Sequence, residues 1–151
     1  MRSDALILLQ ARTTEVALPL AAVHRVVEIP PDELYPVPRA PCAVLGVANH
    51  WGRIVTVVDL AQLLDTTVSS PSHQTAGPLP VLFLEQSHRQ IGALVTGLSE
   101  IITTPKQKRL ESRADSLITH MVELDDRAVG VVSPERLLQG LRQRFADAAR
   151  A

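Results

Sequence analysis

The sequence is poor in aromatic residues and in net charge, and each shortage excludes a class of protein. Phe, Trp and Tyr make up 3% of the 151 residues although the hydrophobic share is 46%, so the core must be aliphatic. The formal net charge of −1 provides no basic patch for a nucleic acid. It also leaves no run of like charge to hold the chain on an anionic membrane. We therefore expect a single domain, 1–151, with no nucleic-acid partner.

Long apolar runs and a second cysteine are also missing. The longest charge-free apolar stretch, 91–99, is much shorter than a membrane-spanning helix, and the apolar residues 5–9 are too few for a signal-peptide core. The single cysteine, Cys42, excludes an intramolecular disulfide and a multi-cysteine zinc site. These features predict a cytoplasmic protein that is not inserted into a membrane.

Motifs for catalysis or metal binding are absent as well. The five histidines show no ligand spacing, and the sequence has no GxSxG elbow, P-loop or GxGxxG cradle. Cys42 would be a nucleophile only if the fold placed a histidine beside it, whereas its position between Pro41 and Ala43 favours a packing role. We expect no enzyme activity, no cofactor and no metal.

An internal repeat is the most informative feature that is present. Leu6-Ile7-Leu8-Leu9 recurs as Val81-Leu82-Phe83-Leu84, at an offset of 75 residues, and 53–59 recurs as 127–133 at an offset of 74. Apolar positions between these blocks recur in the same order: Val16, Leu20, Val23, Val26 and Val27 match Ile91, Val95, Leu98, Ile101 and Ile102. Matched blocks in one order predict two similar halves, 1–70 and 78–151, joined by a Ser/Thr/Pro-rich linker and able to exchange boundary strands.

Each half is predicted to consist mostly of strands, because short β-branched or aliphatic runs alternate with turn residues. The predicted strands are 6–9, 16–20, 23–29, 54–58, 81–84, 91–96, 98–103, 117–124 and 128–132. Asp59 is placed to cap a short helix at 60–64. Ser133, followed by Pro134 and Glu135, is placed to cap a closing helix that runs towards 149.

Residues 45–60, LGVANHWGRIVTVVDL, resemble the signature of the CheW-like domain family. That signature is a hydrophobic-Gly-x-x-Asn-x-Arg-Gly turn followed by a strand that ends in Val-Asp-Leu; Gly46, Asn49, Gly52 and Asp59 match it. The segments 16–29, 91–101 and 131–138 resemble further elements of the family, so the resemblance extends from 6 to about 138. It implies a mainly β fold: two packed SH3-like, five-stranded β-barrel subdomains with a C-terminal helix.

The resemblance also implies a function. Such a protein is a non-catalytic adaptor that couples the signalling tip of a chemoreceptor, of the methyl-accepting type, to the regulatory domain of a CheA-type histidine kinase. It acts in the cytoplasm and is recruited to receptor arrays. The alternative is a specialised SH3-like scaffold that binds one signalling partner and has lost the other docking surface.

The implied partner-binding residues fall in two places. Val26, Glu28 and Val81 match the groove that meets the receptor tip, and Asn49, His50 and Trp51 lie in the signature turn. Asn49 and Gly52 suit a turn that needs a side-chain-to-backbone bond and unusual φ angles. Trp51 fits either a lid over the core or an exposed anchor of the kind enriched in interfaces, and the sequence leaves both open.

This chain departs from the family pattern at three positions. Trp51 stands where the family usually has Arg, Thr56 where the strand usually carries Pro, and Thr96 where an acid is common. Replacing a guanidinium by an indole removes a charge-assisted donor and leaves one N–H. This loss is the reason to retain the single-partner scaffold as the alternative.

Overall fold

The computed structural model describes residues 5–64, 77–103, 106–108, 116–125 and 127–150. These residues form eleven strands and two α-helices: β1 (Leu6–Ala11), β2 (Thr14–Pro19), β3 (Val23–Ile29), β4 (Val44–His50), β5 (Arg53–Asp59), α1 (Leu60–Leu64), β6 (Leu79–Gln86), β7 (Arg89–Leu94), β8 (Gly97–Ile102), β9 (Lys106–Lys108), β10 (Ile118–Leu124), β11 (Arg127–Val132) and α2 (Pro134–Arg150). Most of the predicted linker, 65–76, lies outside the described residues.

The strands form two sheets, and the predicted mainly β architecture with a C-terminal helix is confirmed. One sheet has the strand order β8-β1-β2-β11-β10-β9, and the other has the order β3-β6-β7-β5-β4. We call them the six-stranded and the five-stranded sheet. The first exceeds the expected five strands because the short β9, which was not predicted as a strand, pairs with β10 at its edge.

The repeat is visible in the strand register. In the six-stranded sheet Val16 lies opposite Gly130 in a parallel pair, and in the five-stranded sheet the matching residues, Ile91 and Thr56, form the equivalent parallel pair. The antiparallel pairs of β1 with β8 and of β6 with β3 match in the same way. The six-stranded sheet takes β1 and β2 from the first half and β8–β11 from the second. The five-stranded sheet combines β3–β5 with β6 and β7, so each sheet contains strands of both halves.

The aliphatic core occupies three layers. Leu6 and Leu8 of β1 pack within the six-stranded sheet, whereas Ile7 and Leu9 face a cluster between the sheets. The equivalent strand β6 behaves likewise, with Phe83 inside the five-stranded sheet and its neighbours between the sheets. Because successive side chains of a strand point to opposite faces, burial on both faces explains why these runs lack polar alternation.

The two helices begin at side-chain caps. Asp59 Oδ1 accepts the N–H of Ala61 at 3.1 Å, and Ser133 Oγ accepts the N–H of Arg136 at 3.2 Å. Asp59 is fully buried, and its Oδ2 lies 3.9 Å from Nη2 of Arg12 in the β1–β2 hairpin of the other sheet. Asp59 therefore caps α1 and also links the two sheets. No helix among the described residues is long and apolar enough to cross a membrane.

Candidate partner-binding site

A tight hairpin between β4 and β5 presents the only tryptophan of the chain. Its two connecting residues, Trp51 and Gly52, both have positive φ, 51° and 81°, as a type I′ turn requires. Asn49 Oδ1 accepts the N–H of Gly52 at 3.1 Å. A bulky residue rarely occupies the left-handed region, where Asn or Gly is usual. This geometry leaves Trp51 79% exposed.

The hairpin is joined to the opposite edge of the five-stranded sheet by a cluster of rings and one guanidinium. The imidazole of His50 contacts the buried ring of Phe83 edge-on, with centroids 4.3 Å apart. The same imidazole lies 5.4 Å from the Trp51 ring at an interplanar angle of 14°. Cζ of Arg25, on β3, lies 3.6 Å above the Trp51 ring. His50 therefore covers the core, and Trp51 forms an outer, exposed layer.

The charges around this cluster are mostly positive. His24, Arg25, His50, Trp51, Arg53, Glu85 and Gln90 line an open groove of about 340 Å³. Nδ1 of His24 lies 3.4 Å from the Glu85 carboxylate. Burial lowers the pKa of His50, and the charges of Arg25 and His24 lower that pKa further. These effects therefore favour the neutral form of His50 beside Trp51.

The lowered pKa predicts a pH dependence that the single tryptophan can report. The unfolded chain takes up a proton at His50 near the usual pKa of 6.5, before the folded chain does. The contribution of neutral His50 to folding stability is therefore complete above pH 6.5 and is lost as the pH falls through the lower, folded value. We expect Trp51 fluorescence to titrate below pH 6.5 in the folded protein and at about 6.5 in urea.

Two variants check the source of that transition. His50→Gln should abolish the transition, and His24→Gln should move its midpoint upward because one positive charge is removed. An unshifted midpoint in folded wild-type protein would contradict the environment assigned to His50.

Two of the three groove residues expected from the sequence are exposed, and the third is not. Val26 is 44% exposed, and Glu28 is exposed on the same face of β3, an edge strand. Val81 is fully buried inside the five-stranded sheet, opposite Val27 of β3. A contact between Val81 and a partner does not fit this position, because the side chain has no exposed surface. Val81 instead packs the core beneath the edge strand.

The structure also brings together residues that the sequence reasoning missed. Arg25 is half-buried and reaches Trp51 across the end of the sheet. We define the Trp51 surface as Arg25, His50 and Trp51; Val26 and Glu28 lie on the other face of β3. The sequence of β3 shows no regular alternation of polar and apolar side chains, so no pattern in the sequence pairs Arg25 with Trp51.

Gly46, on β4, allows a close contact between two backbone segments near the Trp51 hairpin. Its φ is +153°, and a Cβ at this position would lie 2.5 Å from the carbonyl oxygen of Tyr35. Tyr35 and Val47 exchange two backbone hydrogen bonds, of 2.9 and 2.8 Å. Gly46 thus allows the segment after β3 to pair with the outer edge of β4, the strand that ends in the Trp51 hairpin.

The described residues do not meet the requirements of a metal site. Within the described ranges, no three His, Cys, Asp or Glu side chains are grouped so that they could hold a metal ion. Cys42 is exposed, and its sulfur lies 3.7 Å from Nε2 of Gln62. The chemistry available at the Trp51 surface is that of aromatic, apolar and charged contacts.

Each of the two β sheets contains strands from both halves of the chain, and an exposed aromatic and cationic surface lies beside an edge strand. Such a fold and surface are typical of a small protein-binding module. The family model of the CheW-like domain matches residues 5–142, so the chain belongs to the CheW-like domain family. The fold is similar to the crystal structure of the scaffolding protein TtCheW from Thermoanaerobacter tengcongensis. That comparison has a TM-score of 0.71 and 14% identity, and it covers 89% of this chain and 86% of that chain. No curated protein matches the sequence.

Family membership supports the role of an adaptor or scaffold in chemotaxis signalling. CheW-like proteins are non-catalytic scaffolds, which agrees with the expectation that the chain is not an enzyme. The family interacts with chemoreceptors and with CheA.

Proposed function

We propose that the protein is a cytoplasmic adaptor that couples a chemoreceptor signalling tip to the regulatory domain of a CheA-type histidine kinase at receptor arrays. The observation that carries the proposal is the exposed indole of Trp51, held by His50 and Arg25 at the end of the five-stranded sheet. A large amphipathic ring held in one orientation loses little entropy when a partner covers it.

The neighbouring edge strand supplies the rest of the receptor surface. Val26 offers an exposed apolar contact, and Glu28, two residues on, offers a carboxylate on the same face. An apolar centre beside a charged rim is the usual composition of a protein interface. The pair suits a helical bundle that presents an apolar stripe next to a basic side chain.

The replacement of the family's usual Arg by Trp51 is partly offset by Arg25. Its guanidinium lies over the indole, so a cation is still present at the hairpin although it comes from β3. Arg donates through five N–H groups in one plane, and a guanidinium stacked on a ring retains in-plane donors. This arrangement supports a receptor contact at the same place, made by a different residue.

The single-partner scaffold is the second candidate, and Trp51 itself favours it. An exposed indole adds a large apolar area where the family usually has a charged group. Such a change favours a partner with an apolar recess and disfavours one that presents a carboxylate. In this case the chain would bind the kinase or the receptor, but not both.

The experiment is a binding titration of the purified protein against two baits at physiological salt. One bait is the regulatory domain of the CheA-type kinase from the same genome, and the other is a receptor signalling-tip fragment. Micromolar binding to both supports the adaptor. Binding to one alone supports the specialised scaffold, and binding to neither refutes both proposals.

Charge reversal at Glu28 tests the receptor surface. Glu28→Arg should weaken binding of the receptor tip by about tenfold, because a rim carboxylate becomes a like charge facing the partner's cation. Glu100→Arg, the same change on exposed β8 at the edge of the other sheet, is the matched control and should bind as wild type. Equal affinities for both variants would remove Glu28 from the site.

A further inference from the structure

A second groove lies between α2 and the five-stranded sheet, away from the Trp51 hairpin. Its volume is about 360 Å³, and we call it the α2 groove. It is lined by Thr56, Arg89, Gln90, Ile91, Leu138, Leu141, Arg142 and Phe145. The receptor surface proposed above does not use these residues.

The floor of the α2 groove is apolar because one face of α2 and one residue of β7 contribute apolar side chains to it. Leu138, Leu141 and Phe145 are spaced three and four residues apart and so share one face of α2. Leu141 is buried in the cluster between the sheets, and Leu138 and Phe145 are only partly buried against that cluster. Ile91 supplies the sheet side of the floor. The hydrophobic core therefore extends to the floor of the groove, where part of it is exposed to solvent.

The rim carries two arginines. Arg89, at the start of β7, and Arg142, on α2, are both exposed. Neither has a salt-bridge or hydrogen-bond partner among the described residues. Both also line an adjoining groove of about 250 Å³, where Glu135 is the acid present. Two free guanidiniums over an apolar floor form a surface with an unbalanced positive charge.

We propose that the α2 groove binds an acidic segment of a partner protein that carries apolar side chains between its carboxylates. Carboxylates of the segment pair with Arg89 and Arg142, since a guanidinium matches a carboxylate through two parallel hydrogen bonds. A leucine or phenylalanine of the segment covers Leu138 and Phe145. A free anion would leave the apolar floor in contact with water. The ligand that fits the groove therefore carries apolar groups as well as negative charge.

The α2 groove is separate from the Trp51 surface but close to it. Gln90 lines both the α2 groove and the groove beside Trp51. The two grooves are therefore neighbours on the five-stranded sheet.

The test is fluorescence anisotropy of the full chain with a labelled, end-capped peptide of sequence EELLEEFLEE. We expect micromolar binding that weakens with salt and falls by about tenfold in an R89E/R142E double variant. Arg39→Glu, a single charge reversal at an exposed loop residue outside the groove, is the control and should bind as wild type. R89Q/R142Q, which carries no reversed charge, should show a smaller loss in the same direction.

Two further probes separate the components of the proposal. A peptide with serine in place of its leucines and phenylalanine should bind at least about tenfold more weakly, because the floor is then uncovered. Equal binding of that peptide, or full competition by inorganic phosphate, would reduce the site to an anion site. Unchanged binding to folded R89E/R142E would overturn the proposal. Binding of the receptor tip to R89E/R142E should match wild type, so failure here and failure of the adaptor role are distinguishable.

Discussion

Replacing Trp51 by alanine is expected to weaken binding of the receptor tip by about thirtyfold, the cost of losing a central aromatic anchor. The side chain is 79% exposed, so its removal leaves no cavity in the core. Its contacts with His50 and Arg25 contribute only about 1 kcal/mol each at such a site. The affinity for the receptor tip should therefore fall strongly, whereas the free energy of unfolding should change little.

Trp51→Asn sharpens this experiment. Asn tolerates the φ of +51° better than Trp does, and Asn-Gly is the preferred pair of a type I′ hairpin. We expect this variant to have an unchanged or higher melting temperature and still to bind the receptor tip more weakly than wild type. Tyr35→Ala, which removes another exposed aromatic, is the matched control and should retain binding. A collapse of the melting temperature with unchanged affinity of the folded fraction would instead make Trp51 a core residue.

Gly46→Ala is expected to produce the largest loss of stability, about 3 kcal/mol or more. The new Cβ would lie 2.5 Å from the oxygen and 2.9 Å from the carbon of the Tyr35 carbonyl, both backbone atoms. The φ of +153° adds a conformational cost for any residue with a Cβ. The chain would have to give up the pairing of Tyr35 with Val47 or distort β4.

Gly52→Ala isolates the conformational part of that cost. Gly52 also has a positive φ, +81°, but a Cβ there meets no atom within 4 Å. We expect a loss of about 1 kcal/mol in urea denaturation. Equal losses at the two glycines would mean that backbone conformation alone, and not the Tyr35 segment, requires Gly46.

Much of the fold could be predicted from the sequence because its matched apolar blocks carry clear strand signals. The tetrapeptides at 6–9 and 81–84 form β1 and β6 in equivalent positions, and most other predicted strands are present within the described residues. β4 was missed, since Gly46, Asn49 and His50 weaken the strand signal and suggest a turn. It forms because β5 pairs with it on one side and Tyr35 on the other.

The candidate site could be predicted only where its residues are neighbours in sequence. Asn49, His50 and Trp51 belong to one hairpin, so the signature places them together. Arg25 meets Trp51 only because β3 and β4 are opposite edges of one sheet whose ends approach each other. The burial of Val81 could not be predicted for a related reason: in a run of four apolar residues, no alternation shows which face meets solvent.

Because strands are exchanged between the halves, neither sheet is made from one half of the sequence alone. The five-stranded sheet uses β3–β7, so all of its strands have been synthesised once Leu94 has left the ribosome. The β1–β2 hairpin is made earlier; β1 can pair with β8 once Ile102 is made, but β2 pairs with β11, which ends at Val132. At about 5–20 residues per second, the aliphatic hairpin waits several seconds for its sheet. During translation the edge of β2 is therefore paired long after it is made, and this interval is when the nascent chain is most exposed to misassociation or to chaperones.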